Sequence, residues 1–287
     1  MAIIMKGAEA ARAIAGDVAV RTEKLRERGI APTLAIVRVG ENDADVYYER
    51  AAMRRCDAVG IDVRNVPLRE SVTQEELIAE IKALNEDDGV HGVLIFRPLP
   101  RHISDSAVRA GLSPEKDVDG ITDASLGGVF TGSGKGFAPC TAESVMEILR
   151  YYGVELEGKR ACVIGRSLVI GKPVSQLLMA ENATVTVCHR KTRDLKEETR
   201  RADIIVSSAG KAGTVGIGCV SPGQVIVDVG INTDAEGKIV GDVDFSDVEP
   251  FVNAITPVPG GVGAVTTAVL ARHVCEAAEG KSDKKEK

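Results

Sequence analysis

The chain alternates short, β-branched apolar runs with segments of helical spacing from one end to the other. "TLAIVRVG", "DVRNVPL" and "VHGVLIF" come early, and "RACVIG", "TVTVCH", "DIIVSSAG" and "QVIVDVG" come later. Most of these runs are apolar at successive positions, so both faces of the strand are covered, as in a parallel sheet. Parallel strands need crossover connections of a dozen residues or more, and the intervening segments are helical. The pattern therefore specifies an α/β protein. Aromatic residues make up only 3% of the chain and Trp is absent, so the core must be aliphatic.

A length of 287 residues fits two domains. In the first block "AIIM" reads as a short strand, followed by a helix that stops at Gly29. Residues 43–59 read as a helix ending at Gly60, and Thr73 is the expected N-cap of "TQEELIAEIKALNED". Residues 97–139 are loop-rich. A helix over 141–152 opens the second block. The expected boundaries are 1–138 for the first domain, completed by a C-terminal helix over 263–280, and 139–262 for the second. The charged end, 281–287, reads as a disordered tail.

A formal charge of −6 argues against nonspecific nucleic-acid binding. The six cysteines form no C-x-x-C pair, so free buried thiols in a reducing, cytoplasmic setting are expected, with no metal site. The N-terminal stretch is broken by Lys6, Glu9, Arg12 and Asp17, so neither a signal peptide nor a membrane span is expected.

"VIGRSLVIGKP", residues 163–173, follows a strand and opens a helix. Gly165 suits the tight turn, and Gly171 lets helix and phosphate approach. A helix N-terminus there offers N–H groups and a positive dipole end to a pyrophosphate. The spacing is G-x-S-x-x-x-G rather than G-x-G-x-x-G, so the case rests on context, in which strand, turn, helix and second strand arrive in Rossmann order. At the end of that second strand an NAD site usually carries an acid for the ribose hydroxyl. This chain has His189, Arg190 and Lys191, with Arg166 in the glycine turn. Guanidinium groups suit the extra phosphate of NADP, which is favoured over NAD.

Outside that block stand Tyr47 and Tyr48, "KDVDG" with Asp117 and Asp119, and "TPVPGGVG". Singly, each has an ordinary structural explanation. Together "VGENDADVYYERAAMRRCDAVGI", "PEKDVDGIT", "PCT", "VIGRSLVIGKPV", "CHRKT", "VDVGIN", "GDVDF" and "ITPVPGGVG" occur in order over about residues 1–280. The set resembles the methylenetetrahydrofolate dehydrogenase/methenyltetrahydrofolate cyclohydrolase family. The resemblance implies a folate-binding α/β domain and a Rossmann NAD(P) domain with a cleft between them, usually as homodimers. It implies that Tyr48 stacks on the folate rings, that Asp119 hydrogen-bonds the pterin edge, and that Pro259, Gly260, Gly261, Val262 and Gly263 lie close to the folate. Gly165, Arg166, Ser167 and Ile231 match cofactor contacts. Tyr47 has no counterpart and is expected to pack.

The chain departs from the pattern where cyclohydrolase chemistry sits. The bifunctional members have a lysine four residues after the stacking tyrosine and a glutamine in "VQLPLP". Here those positions are Ala52 and Phe96, and Ala264 replaces a proline of "GGVGPMT". Arg50, Arg54, Arg55 and Arg97 are near in sequence, but arginine stays protonated and is a poor base. A dehydrogenase with little or no cyclohydrolase activity is expected. A bifunctional enzyme, a noncatalytic folate- or dinucleotide-binding protein, and an unrelated Rossmann oxidoreductase of amino-acid or shikimate type are the alternatives.

Overall fold

The structure, a computed structural model, describes residues 2–285; of Ala44 and of 281–285 only the backbone is described. The chain divides into two compact units, residues 12–140 with 267–287, and residues 1–11 with 141–266. It begins with β1 (Ile3–Ile4) and α1 (Gly7–Glu27).

The unit formed by 12–140 and 267–287 contains β2 (Thr33–Val39), α2 (Asp43–Ala58), β3 (Asp62–Leu68), α3 (Gln74–Glu86) and β4 (Gly92–Ile95). The three strands form a parallel sheet in the order β3-β2-β4, with Leu34 beside Val63 and Gly92. Residues 34–37 of the central strand are fully buried, and so is all of β4. Thr73 caps α3 as expected: its hydroxyl accepts from Glu76 N, and the Glu76 carboxylate accepts from Thr73 N. The core here is aliphatic, built from residues such as Val37, Leu77, Ile81, Leu84, Ile95 and Val108.

The stretch 97–139, expected as loops, holds two short helices, α4 (Asp105–Gly111) and α5 (Asp123–Thr131). Both carry an N-cap hydroxyl, Ser104 accepting from Ala107 N and Thr122 from Ser125 N. Few residues per helix and the Gly127–Gly128 pair hid their periodicity, while the caps were visible signals.

The other unit follows α6 (Cys140–Tyr151) with β5 (Arg160–Ile164), α7 (Gly171–Ala180), β6 (Thr184–Cys188), α8 (Leu195–Arg200), β7 (Ile204–Ser207) and β8 (Val225–Asp228). A two-stranded antiparallel ribbon, β9 (Asn232–Thr233) and β10 (Ile239–Val240), precedes α9 (Phe245–Val248) and β11 (Ala254–Ile255). The main sheet runs β1-β11-β8-β7-β5-β6, with every pairing parallel.

Residues 1–11 thus group with this unit and not with the expected 1–138 domain. The physical reason is pairing, since Ile3 and Ile4 lie beside Ala254 and Ile255 at the sheet edge. The last helix, α10 (Thr266–Lys285), continues through part of the segment read as a disordered tail. The lysines at its end are adequate helix formers; residues 286–287 lie outside the described residues. All six cysteines are free and buried. Among the described residues no helix is long and apolar enough to cross a membrane.

Candidate active site

In the six-stranded sheet β5 is flanked by β6 on one side and β7 on the other. The chain order reverses at β5, and ligands of open α/β sheets bind outside the carboxyl ends of the strands at such a point. Gly165 stands there with φ +122°, a conformation that strains any residue with a Cβ. An added Cβ would overlap Ser208, which follows β7, and one on Gly171 would overlap the Gly165 carbonyl. Both glycines are therefore dictated by close backbone approach. The Ser167 hydroxyl accepts from Ile170 N and shapes the turn. No side chain caps the N-terminus of α7. Lys172 N donates to the Ser167 carbonyl and Pro173 carries no N–H, so the turn offers an anion the Gly171 N–H and the positive dipole end of the helix.

Arg166 and Arg190 are exposed beside this turn in sequence and at the end of β6, respectively, and no acidic residue occupies 189–193. His189 is half-buried, and its Nδ1 accepts from Lys191 N, which makes it a turn former. Ile231 is 72% exposed after β8. The residues present thus fit a dinucleotide: a glycine cradle that a Cβ would fill, an uncapped helix end and flanking guanidinium groups.

Sequence reasoning missed what holds the rim of this site. The fully buried Asp242 accepts from Ala209 N at 2.6 Å, Gly210 N at 3.2 Å, Lys211 N at 2.9 Å, Ser207 Oγ at 3.2 Å and Asn232 Nδ2 at 2.9 Å. Asp228 accepts from Gly230 N, Asp242 N and Val243 N. Burial, with the neighbouring Asp242 charge as a further cause, pushes the Asp228 carboxyl up to about 6 against its hydrogen bonds. The "GDVDF" motif was the available signal. Pro259–Gly263 belong to this same unit. Gly260 has φ +100° and its carbonyl accepts from Gly7 N at 2.9 Å, so the loop is tied to the start of α1.

In the other unit Tyr48 and Ala52 lie one turn apart on α2. Ala52 is fully buried and Phe96, just beyond β4, is 9% exposed. The Phe96 and Tyr48 rings pack edge to face with centroids 5.8 Å apart. Tyr47, expected to pack, is instead 74% exposed. It sits on the solvent side of a helix whose neighbouring positions Tyr48 and Glu49 turn inward.

The two acids of "KDVDG" separate cleanly. Asp117 is fully buried and accepts from Ile121 N at 2.9 Å, Thr122 N at 2.7 Å and Ser125 Oγ at 2.6 Å, organising the entry to α5. Asp119 is half-buried. Its carboxyl is raised to about 6, first by desolvation and then by the Asp117 charge; Arg97 and the Cys140 thiol pull it down. A carboxyl poised near 6 can accept hydrogen bonds when ionised and hold a proton when not.

Known proteins similar to this chain fall in one family. Residues 5–119 match the catalytic domain of tetrahydrofolate dehydrogenase/cyclohydrolase, and residues 139–282 match the NAD(P)-binding domain of the same family. The bifunctional protein FolD of Carboxydothermus hydrogenoformans is 47% identical over 281 residues, covering 97% of this chain and 98% of that protein. The structure of the bifunctional FolD enzyme from Campylobacter jejuni superposes with a TM-score of 0.96 at 40% identity, covering 98% of this chain and 100% of the other. The Trypanosoma brucei FolD, solved with NADP and an inhibitor, gives a TM-score of 0.92 at 35% identity, with 98% of each chain covered. With matches over both halves of its length and a full-length relative at this identity, the chain belongs to the tetrahydrofolate dehydrogenase/cyclohydrolase family.

Proposed function

We propose that this protein oxidises methylenetetrahydrofolate with NADP and releases methenyltetrahydrofolate with little or no cyclohydrolase activity. The carrying observation is the pair Ala52 and Phe96, a buried methyl and a ring packed on Tyr48, at the positions where the bifunctional pattern has lysine and glutamine. Bound NADP supplies the hydride acceptor. The substrate nitrogen next to the methylene carbon would stabilise, through its lone pair, the cation that hydride loss leaves. No protein base is needed, so the chain's task is alignment. Tyr48 offers a ring face to the pterin, and ionised Asp119 accepts from its N–H edge.

Opening the methenyl ring asks for more. Water must attack and shed a proton, and a positioned acid–base group is worth roughly 100- to 10,000-fold in such steps. Neither Ala52 nor Phe96 can take part. The extra phosphate of NADP finds its counter-charge in Arg166 and Arg190, with NAD the weaker cofactor. The FolD solved with NADP supports this choice.

One observation favours the bifunctional reading as the second: Asp119 is raised to about 6, which suits a group exchanging protons with water. The test separates the two. Purified protein is given methylenetetrahydrofolate with NADP, then methenyltetrahydrofolate alone. Reduction of NADP with methenyl decay at the buffer rate is expected. Decay at a rate comparable to the dehydrogenase turnover would falsify the monofunctional reading.

A further inference from the structure

Asp119 sits between two anchored neighbours. On one side Asp117 is fixed by its three hydrogen bonds. On the other, Gly120 has φ +68°, and a Cβ there would crowd the backbone of 137–139. The Val118 side chain is wedged below, since a Cβ on Gly92 would reach Val118 Cγ1 at 2.7 Å. The Val118 carbonyl, which leads directly into Asp119, accepts from His273 Nδ1 at 2.8 Å and from the Cys140 thiol at 3.2 Å. The same thiol lies 3.7 Å from His273 Nδ1, and it lowers the Asp119 carboxyl against the larger effect of burial.

His273 is a helix residue facing inward, 4% exposed, with its ring stacked on Phe137 at a centroid distance of 4.9 Å. Burial pushes it down to about 4, against the pull of the Val118 carbonyl. It is therefore neutral at physiological pH, and because a carbonyl only accepts, the ring proton resides on Nδ1. A neutral imidazole adds no charge to the site. What it adds is a directed donor that fixes one peptide plane. Asp117, Arg97 and Cys140 are the ionisable groups that face Asp119 itself.

We propose that His273 is a positioning residue for folate recognition, which with Cys140 clamps the Val118 carbonyl and so aims the Asp119 carboxylate. The proposal rests on the reading that Asp119 meets the pterin edge. A helix position 154 residues away in sequence then sets the orientation of the substrate-binding acid. Phe137 keeps the imidazole plane from rotating.

The test is steady-state kinetics on the full-length protein with His273→Leu, His273→Asn and Asp119→Asn. Leucine keeps bulk and removes the donor; the asparagine amide can place an N–H where Nδ1 stands. His273→Leu is expected to raise the KM for methylenetetrahydrofolate roughly fivefold or more, the scale of one lost buried hydrogen bond, with the NADP KM unchanged. Its acid limb of kcat/KM should move to lower pH as Asp119 relaxes toward solvent. His273→Asn should restore both. In the Asp119→Asn background, His273→Leu should have no further effect on the folate KM.

Additive effects of the two changes, or a folded His273→Leu with wild-type folate KM and pH profile, would overturn the proposal. If Asp119→Asn alone leaves the folate KM untouched, it is the Asp119 reading that fails. Should His273→Leu not fold, His273→Gln decides by the same measurements, because it keeps polarity but carries its donor further out along the side chain.

Discussion

The rings of Tyr48 and Phe96 meet edge to face, with centroids 5.8 Å apart and planes at 86°. This contact joins α2 to the end of β4, at the position where the bifunctional pattern has a glutamine. Phe96 is thus more than a missing amide. An edge-to-face pair holds the Tyr48 ring plane, and aromatic pairs of this kind are worth about 0.5–1.5 kcal/mol beyond their buried area. Tyr48→Ala should raise the folate KM about tenfold through loss of stacking and of this pair. Phe96→Leu should raise it less. The NADP KM should hardly change in either, and Tyr47→Phe, at a 74% exposed position, should be neutral. Parallel KM titrations of both substrates check this; equal effects on the two would remove Tyr48 from the folate site.

Restoring the hydrolytic pair is the second prediction. Phe96→Gln with Ala52→Lys should increase methenyltetrahydrofolate hydrolysis above the buffer rate. Ala52 is fully buried, so a lysine there must displace its neighbours. Overpacking typically costs about 1–3 kcal/mol. The single Ala52→Lys variant should therefore melt several degrees below wild type. Calorimetry alongside the absorbance assay distinguishes a failed fold from a failed mechanism.

A third prediction concerns pH. The Asp119 carboxyl is raised to about 6 chiefly by desolvation. Only its ionised form accepts two hydrogen bonds from a pterin edge. The kcat/KM for folate should rise with pH through about 6 and level off above it. The stability contribution has the opposite sign. A folded-state value above the ordinary 3.8 favours the fold while the group is protonated, and this is lost as pH climbs through about 6. Asp119→Asn should flatten the kinetic limb and reduce the decline in melting temperature over the same interval. A limb that persists unchanged in this variant assigns it to another group.

The cofactor side yields two tests. Gly165→Ala places a Cβ into Ser208 at a φ of +122°, so NADP binding should fall at least tenfold while the folate KM holds. Arg190→Ser should weaken NADP more than NAD. A wild type that already prefers NAD in kcat/KM would contradict the pairing of Arg190 with the extra phosphate.

The long apolar runs made the sheets legible, because a strand covered on both faces must be apolar at successive positions, as in 34–37 and 204–206. β1 was legible as the short apolar run at the start of the chain, whereas β11 escaped because two residues carry no period. Their pairing is a long-range contact between Ile3 and Ala254, which only the folded chain reveals. Of the site, Tyr48, Gly165 and Gly171 could be read from motif and context. Asp117 and Asp119 could not be told apart by spacing, since the difference is that one spends its oxygens on Ile121, Thr122 and Ser125. His273 was invisible for a related reason. In sequence it is one of several polar residues in the last helix, beside Arg272 and Glu276, and its partner, the Val118 carbonyl, is a backbone atom that no residue type announces.

The carboxylate of Asp242 occupies a concave set of backbone N–H groups, those of Ala209, Gly210 and Lys211, of the kind that elsewhere receives a phosphate. A side chain of the protein itself fills that seat. The segment after β7 is therefore ordered when the chain folds, and a dinucleotide arriving beside Gly165 finds its neighbour already rigid. The entropy of arranging this rim falls on folding and not on association, which leaves more of the contact energy visible as affinity.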